Sequence, residues 1–350
     1  MPHSIDIGNK TVGPGARCFI AAEIGINHNG DMDLAERMIR AAAEAGADAV
    51  KFQNYRTEDF VADHSLFLEY NSRGEIVREP QYDLFKRCEL DRDDLARLSR
   101  CCADNGLIFF STPTGQESLD DLLALGVPLL KNGSDYLGHL PLIRAMARSG
   151  LPAVLSTGMA TLAEMDDAVR AFREAGGTDL ILLHCTSSYP TPDDQVNLRK
   201  IPAMQAAFGC LTGFSDHTAG IVAALGAVTL GACMVEKHFT LDRDLHGPDH
   251  WFSATPDELS DLVRAVRALE ASLGSSALGP AECESAGRAL FRLSCAARVA
   301  LPAGHQLRAE DVTFQRPGTG LPPSAMGWIL HARLANPVAA GHIFTREDFQ

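Results

Sequence analysis

The sequence predicts a parallel (β/α)8 barrel, the TIM-barrel class of α/β fold, followed by a small β-rich domain. Three observations carry the prediction. Eight short apolar runs of strand-like composition alternate with helical patterns as far as residue 273, every run ends in polar or ionisable residues, and the periodicity changes after Leu273. At 350 residues the chain exceeds a typical domain, yet a barrel of about 250 residues stands as one unit. One large domain over 1–273 and a small one over 294–350 fit that length.

The candidate strands are FIAAEI (19–24), DAVKFQ (48–53), LIFFST (107–112), VPLLKN (127–132), PAVLST (152–157), LILLHC (180–185), LTGFSD (211–216) and CMVEKH (233–238). Between them apolar residues recur at spacings of three and four, as in Leu162, Met165, Val169 and Phe172, or Leu259, Leu262, Val266, Leu269 and Leu273. Thr161 with Glu164 and Thr255 with Glu258 fit capping boxes, and Pro256 suits a first helical position. The charged segment 54–89 is too long for an ordinary βα loop and reads as a lid or substrate-covering insertion. GSSALGPAECESAG opens a linker, 274–293. The remaining 57 or so residues consist of short apolar pieces between Pro and Gly turns, too little to carry much core alone, and are expected to dock on another surface.

Composition narrows the function. A net charge of -14 opposes binding to a nucleic-acid backbone, while leaving room for a locally basic pocket. Nine cysteines without a CxxC pair fit a reducing cytoplasm. The start MPHSIDIGNK has no apolar signal core, and GIVAALGAVTLGACMV falls short of the roughly 20 residues that span a bilayer. A soluble protein with no membrane partner is expected.

In such a barrel, reactive groups gather at the carboxyl ends of the strands. Those ends here supply Glu23; Lys51 with Gln53; Thr112; Lys131 with Ser134; Ser156; Ser187 with Tyr189; Ser215 with His217; and Glu236, Lys237 and His238. The two lysines and the hydroxyls would form a pocket for a phosphate or carboxylate. Ser156 and Ser215 also suit plain helix N-caps. His217 and His238, from neighbouring strands, could meet on a divalent cation completed by oxygen ligands, or simply be hydrogen-bonded to nearby carboxylates. Strand alternation turns Glu236 to the side of His238, where it supports the rim, and Lys237 towards the helices.

Several blocks in order, AEIGINHNGD, ADAVKFQ, the K-x-G-S at Lys131, LSTGM, HCTSSYPTP, GFSDHT, EKHFTLD and GPDH, resemble the N-acetylneuraminate (sialic acid) synthase family, with its legionaminate, pseudaminate and 9-phosphate synthases. ARVALPAGHQLRAEDVTFQRPGTG is similar to the family's antifreeze-like (SAF) domain, of the β-clip type. The resemblance implies condensation of phosphoenolpyruvate with an N-acylated hexosamine, dependent on Mn2+ or Mg2+, with Co2+ also acceptable. It implies that His217 and His238 hold the ion, and that Lys51, Thr112, Lys131, Ser134, Ser156, Ser187 and Ser215 surround phosphoenolpyruvate. Gln53, Tyr189 and Asp249 would face the sugar, with Glu23 and Asp249 as candidate acid and base. Arg316 would enter a partner's site in a domain-swapped homodimer. Two positions depart from the bacterial sialic acid synthases: KNGSDY puts Tyr136 where a sugar-facing Glu stands, beside Asp135, and Ser187 replaces an asparagine. A Schiff-base aldolase using Lys51, Lys131 or Lys237 is a second enzyme reading. A pure binding module would leave the polar rim unexplained.

Overall fold

The computed structural model describes residues 3–350, which form two units, one ending at Gly274 and the other spanning Ser275–Gln350. Eight parallel strands make up the first: β1 (Phe19–Gly25), β2 (Ala49–Asn54), β3 (Ile108–Pro113), β4 (Leu130–Asn132), β5 (Ala153–Ser156), β6 (Leu180–Cys185), β7 (Leu211–Asp216) and β8 (Met234–His238). They pair in the order β3-β2-β1-β8-β7-β6-β5-β4, so β8 closes onto β1. β3 and β4 complete the circle side by side, without a ladder of hydrogen bonds between them. β4 is shorter than its sequence suggests, because Pro128 lacks the N–H that would extend it.

A helix follows each strand: α1 (Met32–Glu44), α2 (Arg92–Asp104), α3 (Gln116–Leu125), α4 (Leu140–Arg148), α5 (Leu162–Glu174), α6 (Lys200–Phe208), α7 (Val222–Thr229) and α8 (Pro256–Leu273). Thr161 and Thr255 cap α5 and α8 through full capping boxes, and Pro256 occupies the first turn of α8. The strands read as continuous apolar runs because both faces are buried. Ile20, Val50, Leu155 and Leu182 point outward to helix residues such as Met38, Leu98, Val169 and Leu262.

The inner layer has a stopper that the sequence reading missed. Ile5–Ile7 and Lys10–Val12 form a hairpin turned at Gly8, whose φ of +59° suits glycine. Its Ile5, Ile7 and Val12 pack against Phe19, Ile108, Leu129, Val154, Ile181 and Met234, at or beside the amino ends of the strands. That end is filled with apolar side chains, and the polar residues lie at the opposite end.

The insertion after β2 has structure of its own: a turn of helix (Thr57–Phe60), an antiparallel hairpin (Phe67–Ser72 with Glu75–Pro80) and a helix (Gln81–Cys88). The hairpin is tied to the loop after β8, since the Arg73 Nε donates to the Asp244 carbonyl at 2.7 Å and Tyr70 and Ser72 reach His246 at 3.4 and 3.5 Å.

The second unit pairs Ser294–Ala297 with Val312–Gln315. It closes its own small core around Cys295, Leu301, Leu307, Ile329, Leu334 and Phe344. The segment expected as a linker is partly helical, over Glu282–Glu284 and Ser285–Phe291, and groups with this unit. Among the described residues no helix is long and apolar enough to cross a membrane, and the nine cysteines are all free.

Lys237 turns outward from β8, where its Nζ donates to Asp216 Oδ2 at 2.8 Å and to the Thr218 carbonyl at 2.9 Å. Both side chains are buried. Removing the ammonium leaves a buried carboxylate without its counter-charge, so Lys237→Ala is expected to cost about 3–5 kcal/mol in urea denaturation. A loss below about 1 kcal/mol would contradict this packing role.

Candidate active site

At the carboxyl ends of the strands the inward side chains surround a cavity of 470 Å³, within the usual range of about 300–1,000 Å³ for small-ligand sites. Its floor is a network of buried charges. Lys51 Nζ lies 2.8 Å from Glu23 Oε1, 3.3 Å from Thr112 Oγ1 and 4.0 Å from Glu236 Oε2. Lys131 Nζ donates to Ser156 Oγ at 2.7 Å and to the Asn132 carbonyl at 3.1 Å, and stands 3.7 Å from Glu236 Oε1. Ser215 Oγ donates to that same Glu236 oxygen at 3.0 Å. Glu236 therefore sits between both lysines.

The local fold aims these groups. A register shift between Glu23 and Gly25 breaks the regular pairing of β1 with β2. Gly25 adopts φ +53°, and a Cβ there would meet Glu23 Oε1 at 3.0 Å and Gln53 Nε2 at 3.4 Å. Glycine thus leaves room for the carboxylate beside Gln53, whose Nε2 is 3.4 Å from Glu23 Oε1. Gly158 acts similarly: a Cβ would collide with Ser187 Oγ, Ser134 Oγ and Cys185 Sγ, while its N–H donates to Ser134 Oγ at 3.0 Å.

Burial pushes Glu23 up to about 7, although Lys51 opposes the rise and Glu236 adds to it. Burial also works against the Glu236 carboxylate, but Lys131, Lys51 and the Ser215 hydroxyl outweigh it and its pKa falls. Two neighbouring carboxyls are driven apart, one to exchange its proton near neutrality and one to stay ionised. Lys131 is lowered by burial and by Lys51 despite the help of Glu236.

The two histidines stand on the adjoining wall, with ring centroids 5.3 Å apart. His217 Nδ1 lies 2.9 Å from the Thr186 carbonyl, which fixes the proton there in the neutral ring and leaves the lone pair on Nε2. His238 Nδ1 is buried without a hydrogen-bond partner, 3.7 Å from Asp249 Oδ2. Burial, then His217 and Lys51, keep His238 well below its ordinary value, so its ring is neutral. Two imidazoles with free or freeable lone pairs suit a divalent cation. Among the described residues no group of three or more His, Cys, Asp or Glu is arranged to hold one, so further ligands would come from substrate and water. Burial lifts Asp249 to about 6 against the pull of His217 and Lys51. Its loop is braced by Ser253 Oγ, which donates to the Asp249 carbonyl at 2.5 Å and receives Asn27 Nδ2 at 3.1 Å. The Tyr189 ring leans on His217 at 4.3 Å and on Phe252 at 5.1 Å.

Glu23, Lys51, Gln53, Thr112, Lys131, Ser134, Tyr136, Ser156, Ser187, Tyr189, Ser215, His217, His238 and Asp249 all line this cavity. Arg316 belongs to the second unit, where its Nε donates to the Phe291 carbonyl at 3.0 Å. Neither Ser156 nor Ser215 is a helix cap: α5 is capped by Thr161, and α7 begins after Ile221 without a side-chain cap. Sequence reasoning left Glu236 at the rim, whereas it is the centre of the floor; its alternation with His238 was the available signal. It also missed Cys185, whose Sγ accepts from Ser134 Oγ at 3.4 Å, and the apolar wall of Ile26, Leu68, Phe85 and Met159.

The raised Glu23 carboxyl has a consequence for stability. Its ordinary value is 4.5 and its folded value about 7, so the unfolded chain gives up this proton first and the folded state loses stability as pH climbs between those values. Glu23→Gln removes that dependence. Its melting temperature relative to the unmodified protein should rise from pH 4.5 to 7 and then level off; a difference that is flat or falls over this window would refute the assignment.

The NeuB family profile matches residues 38–277 and the SAF domain profile residues 294–350. The N,N'-diacetyllegionaminic acid synthase of Legionella pneumophila is 40% identical over 95% of both chains. The human N-acetylneuraminate-9-phosphate synthase is 35% identical over 90% of this chain and 88% of its own. The crystal structure of an N-acetylneuraminic acid synthetase from Leptospira borgpetersenii superposes with a TM-score of 0.74 at 36% identity, covering 82% of this chain and 95% of that one. With a barrel whose strand ends carry this site and a carboxyl-terminal SAF domain, the chain belongs to the NeuB family of sialic acid synthases.

Proposed function

We propose that the protein condenses phosphoenolpyruvate with the open-chain aldehyde of an N-acylated hexosamine, giving a nine-carbon 2-keto sugar acid and inorganic phosphate. The observation that carries this reading is the floor, where Lys51 and Lys131 flank Glu236 beside two imidazoles facing one cavity. The lysines, with the hydroxyls of Thr112, Ser134, Ser156, Ser187 and Ser215, seat the carboxylate and phosphate of phosphoenolpyruvate. His217 and His238 would hold Mn2+ or Mg2+, with Co2+ a further candidate. Such an ion supplies polarisation of the acceptor's aldehyde oxygen when bound.

The residues then divide the proton work. C3 of the enol bonds to the aldehyde carbon, and positive charge develops at C2 next to the ionised Glu236. Water adds to C2 and gives a proton to Glu23, whose affinity near neutrality suits a group that takes and returns one. The C2–O bond to phosphate breaks, the remaining C2 hydroxyl becomes the ketone and its proton leaves with phosphate. Asp249, also raised, is the group assigned to give the new alkoxide its proton. Gln53, Tyr136 and Tyr189 face the sugar, and Arg316 of a second copy completes the site in a domain-swapped homodimer.

A Schiff-base aldolase is less well supported, because each lysine is engaged. Lys51 pairs with Glu23 and Lys237 with Asp216, each at 2.8 Å, and Lys131 donates to Ser156 and Asn132.

Phosphate release from phosphoenolpyruvate, assayed with N-acetylmannosamine, its 6-phosphate and a 2,4-diacetamido-trideoxyhexose, tests the reading directly. Release is expected with at least one acceptor, loss of it on chelation by EDTA, and no pyruvate adduct after borohydride. Silence with all three, or covalent trapping, would refute it. Lys131→Ala removes one partner of a buried charge network and is expected to lower kcat/KM by about a hundredfold or more. Arg316→Ala should impair the chemistry without unfolding the barrel; unchanged activity would remove Arg316 from the site.

A further inference from the structure

The lysines of the cavity are both buried. Lys51 and Lys131, 5% and 2% exposed, are the lysines among the lining residues, which include no arginine. The lining also includes Ile26, Leu68, Phe85, Tyr136, Met159 and Pro248, of which all but Ile26 are partly or largely exposed. Leu68 comes from the insertion's hairpin and Phe85 from its helix. Phe85 is set edge-on against Tyr55 and Phe60 at 5.7 and 5.0 Å, so this part of the wall is braced from behind. Asp135 and Asp249 add carboxyl groups to the same lining.

The insertion does not lack basic residues; each is held elsewhere. Arg56 pairs with Asp121 at 3.0 Å, Lys86 with Glu58 at 3.0 Å and Arg87 with Glu79 at 3.2 Å. Arg78 lies over the Phe67 ring, and Arg73 is bound to the Asp244 carbonyl. Once phosphoenolpyruvate occupies the lysines, a second phosphate would meet apolar side chains and the carboxyl groups of Asp135 and Asp249, with no further lysine or arginine of this unit in the lining to compensate.

Taking the synthase reading as its basis, we infer that the acceptor is an uncharged hexosamine with deoxy or N-acyl groups towards the outer wall, and that Leu68 and Phe85, with Ile26 and Met159, select it against phosphorylated sugars. Methyl groups of a deoxy carbon or an acetamido substituent gain from this surface, whereas free hydroxyls lose partners there. The discrimination against a hydroxyl is modest and that against a dianion large.

The test compares kcat/KM for phosphate release at saturating phosphoenolpyruvate. N-acetylmannosamine is expected to exceed its 6-phosphate by about 100-fold or more, and the 2,4-diacetamido-trideoxyhexose to exceed N-acetylmannosamine by about tenfold. Leu68→Lys places a cation on the wall and should shift the ratio of the two N-acetylmannosamine forms towards the phosphorylated one by about tenfold. Equal or preferred use of the 6-phosphate by the unmodified protein overturns the inference, including the case where Arg316→Ala abolishes that preference. An unmoved ratio in Leu68→Lys overturns the assignment of the wall. Absence of release with every acceptor would dispose of the synthase reading itself, a different result.

Discussion

The Glu236 carboxylate between Lys51 and Lys131 is the constraint on which the site is built. Two ammonium groups buried at one end of a barrel repel each other and lose their water, and neither is tolerable without an anion close by. Glu236 supplies it for both, Ser215 fixes which oxygen faces which lysine, and Glu23 takes the remaining side of Lys51. The same arrangement separates the two carboxyls in proton affinity. Glu236 stays charged because Lys131, Lys51 and the Ser215 hydroxyl outweigh its burial, and Glu23 is lifted because its burial, with Glu236 beside it, outweighs the lysines.

The remainder of the barrel offers this network little solvation, so its charges must balance one another. The amino-terminal hairpin fills one mouth with Ile5, Ile7 and Val12, so the interior offers no water from below. Lys237 shows the same logic on the outer face, where a third lysine pairs with Asp216 inside the helix layer. Lys237 and Glu236 are adjacent in sequence and unrelated in function because a strand sends them to opposite sides.

Much of this was legible from residues alone. Eight strands ending in polar groups define the barrel and its active end, and capping boxes at Thr161 and Thr255 mark where helices begin. What escaped depended on contacts between segments distant in sequence. The stopper hairpin is two runs of three residues, too short for a periodic signal, and only its fit against eight strand starts gives it a purpose. Glu236 was visible as a polar strand end, but its position between two lysines requires β2, β4 and β8 to be placed together. The expected linker carries a helix because SAGRALF is adequate helix-forming sequence beyond a turn-rich stretch that reads as flexible.

The cavity also separates two kinds of information by depth. Its floor comes from strand ends, held by the barrel's hydrogen-bond ladders, so groups there keep their mutual distances and can support one chemistry. Its outer wall comes from connections, above all the insertion after β2, whose hairpin reaches the barrel through a few polar contacts near His246 and Asp244. Such segments can change side chains without disturbing the ladder beneath. That is why residues such as Lys51 and His238 stand out in the sequence as polar strand ends, while Leu68 and Phe85 in the cavity wall are marked by no motif.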